Sequence, residues 1–150
     1  ASDVYKRQGL SFGAMLQDMG VEGYLISSSL LAIQAQRLVR RVCTDCAETH
    51  FLSEDEAIVL EIGISSCPKI QRGKGCERCG HTGYRGRVGL YELLMMSDAI
   101  RHHNASGADA NIIRDEAIIE GMKTLREDAI EKLKAGLTTP EEVVRVTRAI

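Results

Sequence analysis

The sequence predicts a mixed α/β fold, in which a module bounded by cysteines lies between strand-like segments and a closing series of helices. The first observation is that four of the five cysteines form two C-x2-C pairs, with 29 residues between the pairs. The second is the alternation of apolar and polar residues at 32–40, which favours a strand, although a helix also fits. The third is a set of helix-start signals in the last third of the chain, where Ser or Thr precedes acidic residues.

The paired cysteines are Cys43 with Cys46 and Cys76 with Cys79. Two thiolates that are two residues apart can bind one metal ion from a single tight turn, and two such turns complete a tetrahedron around Zn²⁺. Four thiolates leave no open coordination position, so the pattern indicates a structural site rather than a catalytic one. We therefore predict a structural Zn²⁺ at these four cysteines, and no catalytic or nucleotide-binding residue in this chain.

Three other states of the four cysteines remain open at this point: free thiols, two local disulfides and a rubredoxin-like iron site. A reducing cytosol disfavours the disulfides, whereas the ligands alone do not distinguish zinc from iron. The remaining cysteine, Cys67, is interpreted as an inert thiol. His50 and His81 are interpreted as surface histidines, because four thiolates already complete the site.

A zinc ion with four thiolates carries a formal charge of −2, so cations and backbone amides are expected near it. Gly80, directly after Cys79, allows a turn that directs amide N–H groups at sulfur. The candidate cations on either side of the cysteine pairs are Arg40, Arg41, Lys74, Arg78, Arg85 and Arg87.

Periodicity and capping signals predict the other elements in order. Ser53 and Glu56 form a capping box at the start of a helix that Gly63 would end. The predicted helices cover 9–20, 21–31 and 54–62, followed by helices that begin at Ser97, Asp109, Thr124 and Thr139. The predicted strands or extended segments are 32–40, 69–72 and 87–95.

Composition limits the class of protein. The net charge is −2, aromatic residues make up 4% of the chain and Trp is absent, so neither bulk charge nor a stacking surface favours nucleic-acid binding. No apolar run approaches the ~20 residues of a membrane-spanning helix, and the first residues have no signal-peptide core. We therefore expect a cytoplasmic protein, and we interpret residues 1–8 as a remnant of cloning or sequence assembly.

Several stretches, in order along the chain, resemble the C-terminal part of secretion ATPases of the GspE/PilB type. These are the motor ATPases of type II secretion and type IV pilus assembly. The resemblance covers about residues 9–150. It is carried by 16–22, 35–46, 75–92, 121–129 and 136–147, and the segment 75–92 includes C-E-R-C-G-H-T-G-Y-R-G-R-V-G-L-Y-E.

The resemblance implies an α/β fold with three parts after residues 1–8. These are the C-terminal end of a RecA-like P-loop ATPase domain at 9–42, a tetracysteine zinc subdomain at 43–91 and a C-terminal helical bundle at 92–150. The family's zinc site carries over onto the four paired cysteines. Its phosphate loop, acidic boxes and histidine box are implied to precede this chain.

The implied parent protein is a homo-hexameric cytoplasmic ATPase that is bound at the inner membrane through secretion or pilus platform proteins. ATP and Mg²⁺ would bind in the parent only, and this chain by itself is expected to be inactive because it has no phosphate loop. Two alternatives stay open: a nucleic-acid-binding zinc ribbon, and a chaperone-type zinc module of the kind found in J-domain chaperones.

Overall fold

The computed structural model describes residues 19–63 and 68–147. Most of the predicted helix at 9–20 and all of Cys67 lie outside the described residues. The strands are β1 (Ala32–Val42), β2 (Ala47–Phe51), β3 (Lys69–Gly73) and β4 (Tyr84–Met95). The helices are α1 (Gly23–Ser29), α2 (Glu54–Val59), α3 (Asp98–Ala105), α4 (Ala110–Ile119), α5 (Leu125–Lys134) and α6 (Pro140–Thr147), with a short 3-10 helix at Glu77–Cys79.

The chain is a mixed α/β protein whose described residues fall into two compact units. The first unit combines the described residues up to 36 with 91–124, and the second combines 37–90, without 64–67, with 125–147. β1 pairs with β4 in a two-stranded sheet, and each of these strands has residues in both units.

The second unit contains both cysteine pairs and the last two helices. β2 and β3 form an antiparallel ladder that runs from Ala47 opposite Gly73 to Phe51 opposite Lys69. α5 packs against α6 and against β3. The largest apolar side chains that are fully buried in this unit include Leu60, Ile70, Leu90, Leu133 and Val143.

The first unit is built around a small apolar cluster. α1 packs against α3, and α3 packs against α4. Ser97 caps α3, because its hydroxyl accepts a hydrogen bond from the Ile100 N–H at 3.2 Å, as the sequence predicted. The buried residues of the cluster are Leu94, Met96, Ile100, Ile113 and Ala117.

Helix α2 follows its predicted capping box but ends earlier than predicted. The Ser53 hydroxyl accepts from the Glu56 N–H at 3.2 Å, and the Glu56 carboxylate accepts from the Ser53 N–H at 3.0 Å. The helix stops at Val59 because Glu61 adopts a left-handed conformation, with φ of 53°. The sequence prediction assigned the stop to Gly63, because glycine adopts that conformation more readily.

The remaining predicted elements agree in type and shift only at their ends. The predicted strand at 32–40 extends to 42, the one at 69–72 extends to 73, and the extended segment at 87–95 begins at 84. β2 was not predicted. Of the closing helices, α3 and α4 belong to the first unit, and α5 and α6 belong to the second. The domain limits at 8, 42 and 91 stay predictions.

Candidate metal centre

The two cysteine pairs lie on two turns that the backbone holds side by side. The first turn follows β1, and the Cys46 N–H donates to the Cys43 carbonyl at 3.4 Å. The second turn contains the 3-10 helix, which ends at Gly80 with φ of 58°. The Cys43 N–H donates to the Gly83 carbonyl at 2.9 Å, and the Lys74 N–H donates to the Cys46 carbonyl at 3.0 Å. These hydrogen bonds fix the distance between the turns.

The four sulfurs form a compact cluster, hereafter the cysteine cluster (Cys43, Cys46, Cys76 and Cys79). All four Sγ atoms lie within 4.8 Å of one another. The Sγ–Sγ distance is 3.9 Å from Cys43 to Cys76, and it is also 3.9 Å from Cys46 to Cys79. Cys76 and Cys79, in the same turn, have their sulfurs 3.7 Å apart.

These distances fit a tetrahedral metal site. A Zn–S bond of about 2.3 Å implies a tetrahedron with an edge of about 3.8 Å between sulfurs. A disulfide requires about 2.05 Å between its sulfurs, and the four cysteines are free in the structure. The cluster can therefore hold a metal ion such as zinc, and the disulfide alternative does not fit its geometry.

Backbone amides are directed at one sulfur in particular. The Cys79 Sγ accepts hydrogen bonds from the Cys76 N–H at 3.1 Å and the Gly83 N–H at 3.3 Å. The Cys76 N–H is the largest cause that lowers the pKa of the Cys79 thiol, to about 6. Burial and, to a smaller extent, the neighbouring sulfurs raise the pKa of the Cys46 thiol to about 12. A metal binds thiolates, so the two amide hydrogen bonds favour the form of Cys79 that binds a metal.

Asp45 organises the cations around the first turn. Its two carboxylate oxygens pair with Arg78 at 2.9 Å and with Arg85 at 3.4 Å. The Cys43 Sγ lies 3.8 Å from the same carboxylate. Two of the predicted cations, Arg78 and Arg85, thus lie beside the cysteine cluster, although no sequence pattern indicated that the Asp45 carboxylate would pair with both. Lys74 pairs with Glu48 at 3.0 Å.

Arg40 differs from its predicted role as a cation near sulfur. Its guanidinium pairs with Glu142 at 3.0 Å and lies 4.0 Å from the centre of the Tyr84 ring. The Arg40 N–H also donates to Glu142, at 2.7 Å. Glu142 is only 1% exposed and accepts two further hydrogen bonds from Arg145, at 2.8 and 3.1 Å. Since 102 residues separate Arg40 from Glu142, no local sequence signal predicts this pair.

The segment between Arg40 and Cys43 is therefore held against the start of α6. In addition to the Glu142 contacts, the Thr138 hydroxyl donates to the Arg40 carbonyl at 2.9 Å. The Val42 N–H donates to the Leu137 carbonyl at 3.0 Å. The strand that delivers the first cysteine and the last helix are thus joined by hydrogen bonds from both backbone and side chains.

The two histidines near the cluster lie at the surface. His50 is exposed on β2, and His81 is exposed with φ of 60°. Among residues 19–63 and 68–147, the cysteine cluster is the one group of three or more His, Cys, Asp or Glu residues placed to hold a metal ion. A search of the same residues finds no helix that has the length and apolar character needed to cross a membrane.

The chain is similar to known proteins of one family. The family model described as "Type II/IV secretion system protein" matches residues 7–145. Type II secretion system protein E of Aeromonas hydrophila is 44% identical over 137 residues, covering 89% of this chain and 26% of that protein. The same-named protein of Dickeya dadantii is 39% identical over 151 residues, covering 98% and 29% respectively.

A pilus protein is similar to the same degree. The type IV pilus assembly ATPase PilB of Thermus thermophilus is 43% identical over 136 residues, covering 88% of this chain and 15% of that protein. The chain thus spans between 15% and 29% of the length of these curated relatives.

Proposed function

The chain belongs to the Type II/IV secretion system protein family, and from this membership we propose that it is the C-terminal region of a motor ATPase that drives type II protein secretion or type IV pilus assembly. The observation that carries the proposal is the family match over residues 7–145, which includes both cysteine pairs. Relatives named for secretion and for pilus assembly match to a similar degree, so both systems remain within the proposal.

Within this motor, the cysteine cluster would hold a structural zinc ion. Bound there, zinc supplies cross-linking rather than chemistry, because four thiolates fill its coordination sphere. Cys79 receives two amide hydrogen bonds, Asp45 gathers two arginines beside the first turn, and Gly80 gives the second turn its left-handed end. These residues orient the sulfurs and offset the negative charge of a tetrathiolate centre.

The proposed parent is a cytoplasmic homo-hexamer that is held at the inner membrane by platform proteins of the secretion or pilus apparatus. In it, residues 9–42 would close a RecA-like ATPase domain, 43–91 would form the zinc subdomain and 92–150 the helical subdomain. ATP and Mg²⁺ would bind to a phosphate loop that this chain does not contain. Family membership favours this role over a nucleic-acid-binding or chaperone-type zinc module.

A domain exchange tests the proposal. We expect a chimera of the Aeromonas hydrophila protein E, with this chain in place of its matching 137 residues, to restore type II secretion in a strain that lacks protein E. The parallel exchange into Thermus thermophilus PilB, with pilus assembly as the readout, separates the two systems. Chimeras that are stably produced but restore neither process would contradict the proposal.

The 150-residue chain tests the part that concerns ATP. Because it lacks the backbone amides and lysine of a phosphate loop, its rate of ATP hydrolysis should not exceed the background rate. The active chimera is the positive control in the same assay. Hydrolysis by the isolated chain that scales with its concentration would mean that the catalytic residues have been assigned to the wrong part of the protein.

A further inference from the structure

A groove lies between helices α2 and α6, both of which belong to the second unit. Its volume is about 590 Å³, which is within the range of about 300–1,000 Å³ that ligand pockets occupy. Val59, from α2, and Pro140 and Val144, from α6, form its apolar floor. The groove shares no residue with the cysteine cluster.

The apolar floor is not explained by the packing of the two helices. On α2, the buried face is formed by Ala57, whereas Val59 is 39% exposed. On α6, Val143 and Val146 are buried, whereas Val144 is only half-buried and points into the groove. Both helices therefore direct an aliphatic side chain that the core does not use towards the same concave surface, and ligand pockets are typically concave and mostly apolar.

The rim of the groove is acidic. Asp55, Glu56 and Glu141 all line it. Arg72 pairs with both Glu56 and Glu141, so one guanidinium faces two carboxylates. Within the described part of the chain, no ion pair is found for Asp55.

Among the residues that the structure describes, Arg145 is the one cation that lines the groove, and it is already paired. Arg145 donates two hydrogen bonds to Glu142, at 2.8 and 3.1 Å. The lining therefore carries more negative charge than positive charge. An acidic rim repels phosphate groups, so anionic lipid surfaces and nucleic acids are poor ligands for this groove.

Both walls of the groove are fixed in place before any ligand binds. The capping box between Ser53 and Glu56 holds the start of α2. The hydrogen bonds between Arg40 and Glu142 hold the start of α6. Because the walls are preorganised, docking would cost little ordering of the groove itself.

We propose that this groove docks a basic amphipathic segment of a partner protein. An aliphatic side chain of that segment fills the floor over Val59 and Val144, and a lysine or arginine beside it pairs with Asp55. This is the helix-in-groove mode of recognition, in which apolar anchors supply affinity and charge at the rim supplies orientation and specificity. The proposal does not depend on which of the two secretion-related processes the chain serves.

The test uses two short fluorescent peptides that differ only in charge, one built from leucine and lysine and the other from leucine and glutamate. We expect the metal-loaded 150-residue chain to bind the lysine peptide in fluorescence anisotropy, with an affinity that falls as salt is added. Asp55→Lys should weaken binding about tenfold, because it places a like charge at the rim. Glu54→Lys is the matched control, since Glu54 lies in the same helical turn but does not line the groove.

A second variant and its control test the apolar floor of the groove. Val59→Ser should weaken binding of the lysine peptide about tenfold, whereas Ile58→Ser should leave it within about twofold. Ile58 is 60% exposed and adjacent on the same helix, yet it does not line the groove. Thermal melting of all four variants confirms that the binding differences do not arise from unfolding.

Three outcomes would overturn the proposal. One is equal binding of both peptides, and another is binding that Asp55→Lys and Val59→Ser leave unchanged. The third is self-association of the chain that Asp55→Lys abolishes, with no binding of either peptide. That last result would assign the groove to a second copy of the chain.

Discussion

Cys79 and Cys46 occupy equivalent positions in their C-x2-C pairs, yet their surroundings differ. Cys79 is reached by two backbone N–H groups, which lower its pKa to about 6. The pKa of Cys46 is raised to about 12 by burial and by neighbouring sulfurs. Since both side chains are identical, the difference arises from their surroundings: backbone hydrogen bonds dominate at Cys79, whereas burial and neighbouring sulfurs dominate at Cys46. At neutral pH the second turn therefore favours the thiolate form of Cys79, which is the form that binds a metal.

Cys79→Ser should abolish metal retention. We expect the metal content to fall from one ion per chain by about tenfold or more, because a hydroxyl cannot replace a thiolate ligand. Elemental analysis of the freshly purified variant measures this content. Cys67→Ser is the control, since Cys67 belongs to neither C-x2-C pair. A Cys79→Ser chain that keeps a full complement of metal would show that the cluster is not the metal site.

Glu142 is the second residue whose surroundings determine its chemistry. Burial by itself would raise the pKa of this carboxyl group, but hydrogen bonds from Arg145 and Arg40 outweigh burial and lower it from 4.5 to about 2. A carboxyl group whose pKa is lower in the folded state stabilises the protein above its unfolded pKa. That contribution disappears as the pH falls from about 4.5 towards 2.

Glu142→Gln should therefore lower the free energy of unfolding by about 2–3 kcal/mol at pH 7. The difference between wild type and variant should shrink below pH 4.5, which urea titrations at pH 7 and pH 3 can measure. Because wild type and Glu142→Gln share all their other acidic groups, comparing them at the same pH cancels the effect of those groups on stability. Glu141→Gln is the control. Because the Glu141 side chain is 55% exposed, its loss should cost less than about 1 kcal/mol.

A stability difference between wild type and Glu142→Gln that is the same at pH 7 and pH 3 would contradict the conclusion that the ionised Glu142 carboxylate stabilises the fold.

At the level of elements, local patterns predicted what depends on near neighbours in sequence. The capping box at Ser53, the cap at Ser97 and the helix that begins at Pro140 all require residues within one turn, so the sequence contains the whole signal. The same holds for each C-x2-C turn. The spacing predicted that the four cysteines would converge, and the structure brings them within 4.8 Å.

Elements that depend on distant residues left no such signal. All five residues of β2 are exposed, so its sequence has no alternation between a buried and an exposed face, and only pairing with β3 reveals it. The pair formed by Arg40 and Glu142 joins residues that are 102 positions apart. The early end of α2 depends on the left-handed conformation of Glu61, a residue type that rarely adopts it.

A close contact between the end of β3 and the start of β4 also escaped prediction. Gly73 and Gly83 approach so closely that a Cβ atom on either one would overlap the other's backbone carbonyl. Gly83 has φ of 77°, its N–H donates to the Cys79 sulfur, and its carbonyl accepts from the Cys43 N–H. This contact therefore sets the spacing between the two cysteine turns.

Gly83→Ala should destabilise the second unit by about 3 kcal/mol or more, because positive φ and a backbone clash combine at one position. The variant should also lose metal, since the clash separates the turns. Gly80→Ala is the matched control: its φ is 58°, but a Cβ there would meet no atom within 4 Å. It should cost about 1–2 kcal/mol and retain the metal. Thermal melting and elemental analysis measure both effects, and equal losses in the two variants would refute the role of the contact.

At the scale of the whole molecule, the hydrogen bonds of the cysteine cluster extend well beyond the metal site. The segment from Arg40 to Cys43 is bonded to residues at the start of α6. Lys74 and Gly83, which flank the second turn, are bonded to Cys46 and Cys43 respectively. The apolar cluster of the first unit contains none of these residues. Metal binding should therefore support the two units unequally.

Removal of the metal is the most direct test of this asymmetry. We expect a strong chelator to release one zinc ion per chain and to speed amide hydrogen exchange across residues 43–91, because the two turns would lose their cross-link. Exchange should also rise in α6, whose start is bonded to the strand that carries Cys43. Amides of α3 and α4, which pack around Ile100 and Ile113, should keep their protection.

Hydrogen-exchange mass spectrometry before and after chelation resolves these segments, and re-addition of zinc should restore the original pattern. Uniform loss of protection in both units would mean that the metal stabilises the whole chain, and unchanged exchange in 43–91 would mean that it stabilises neither turn.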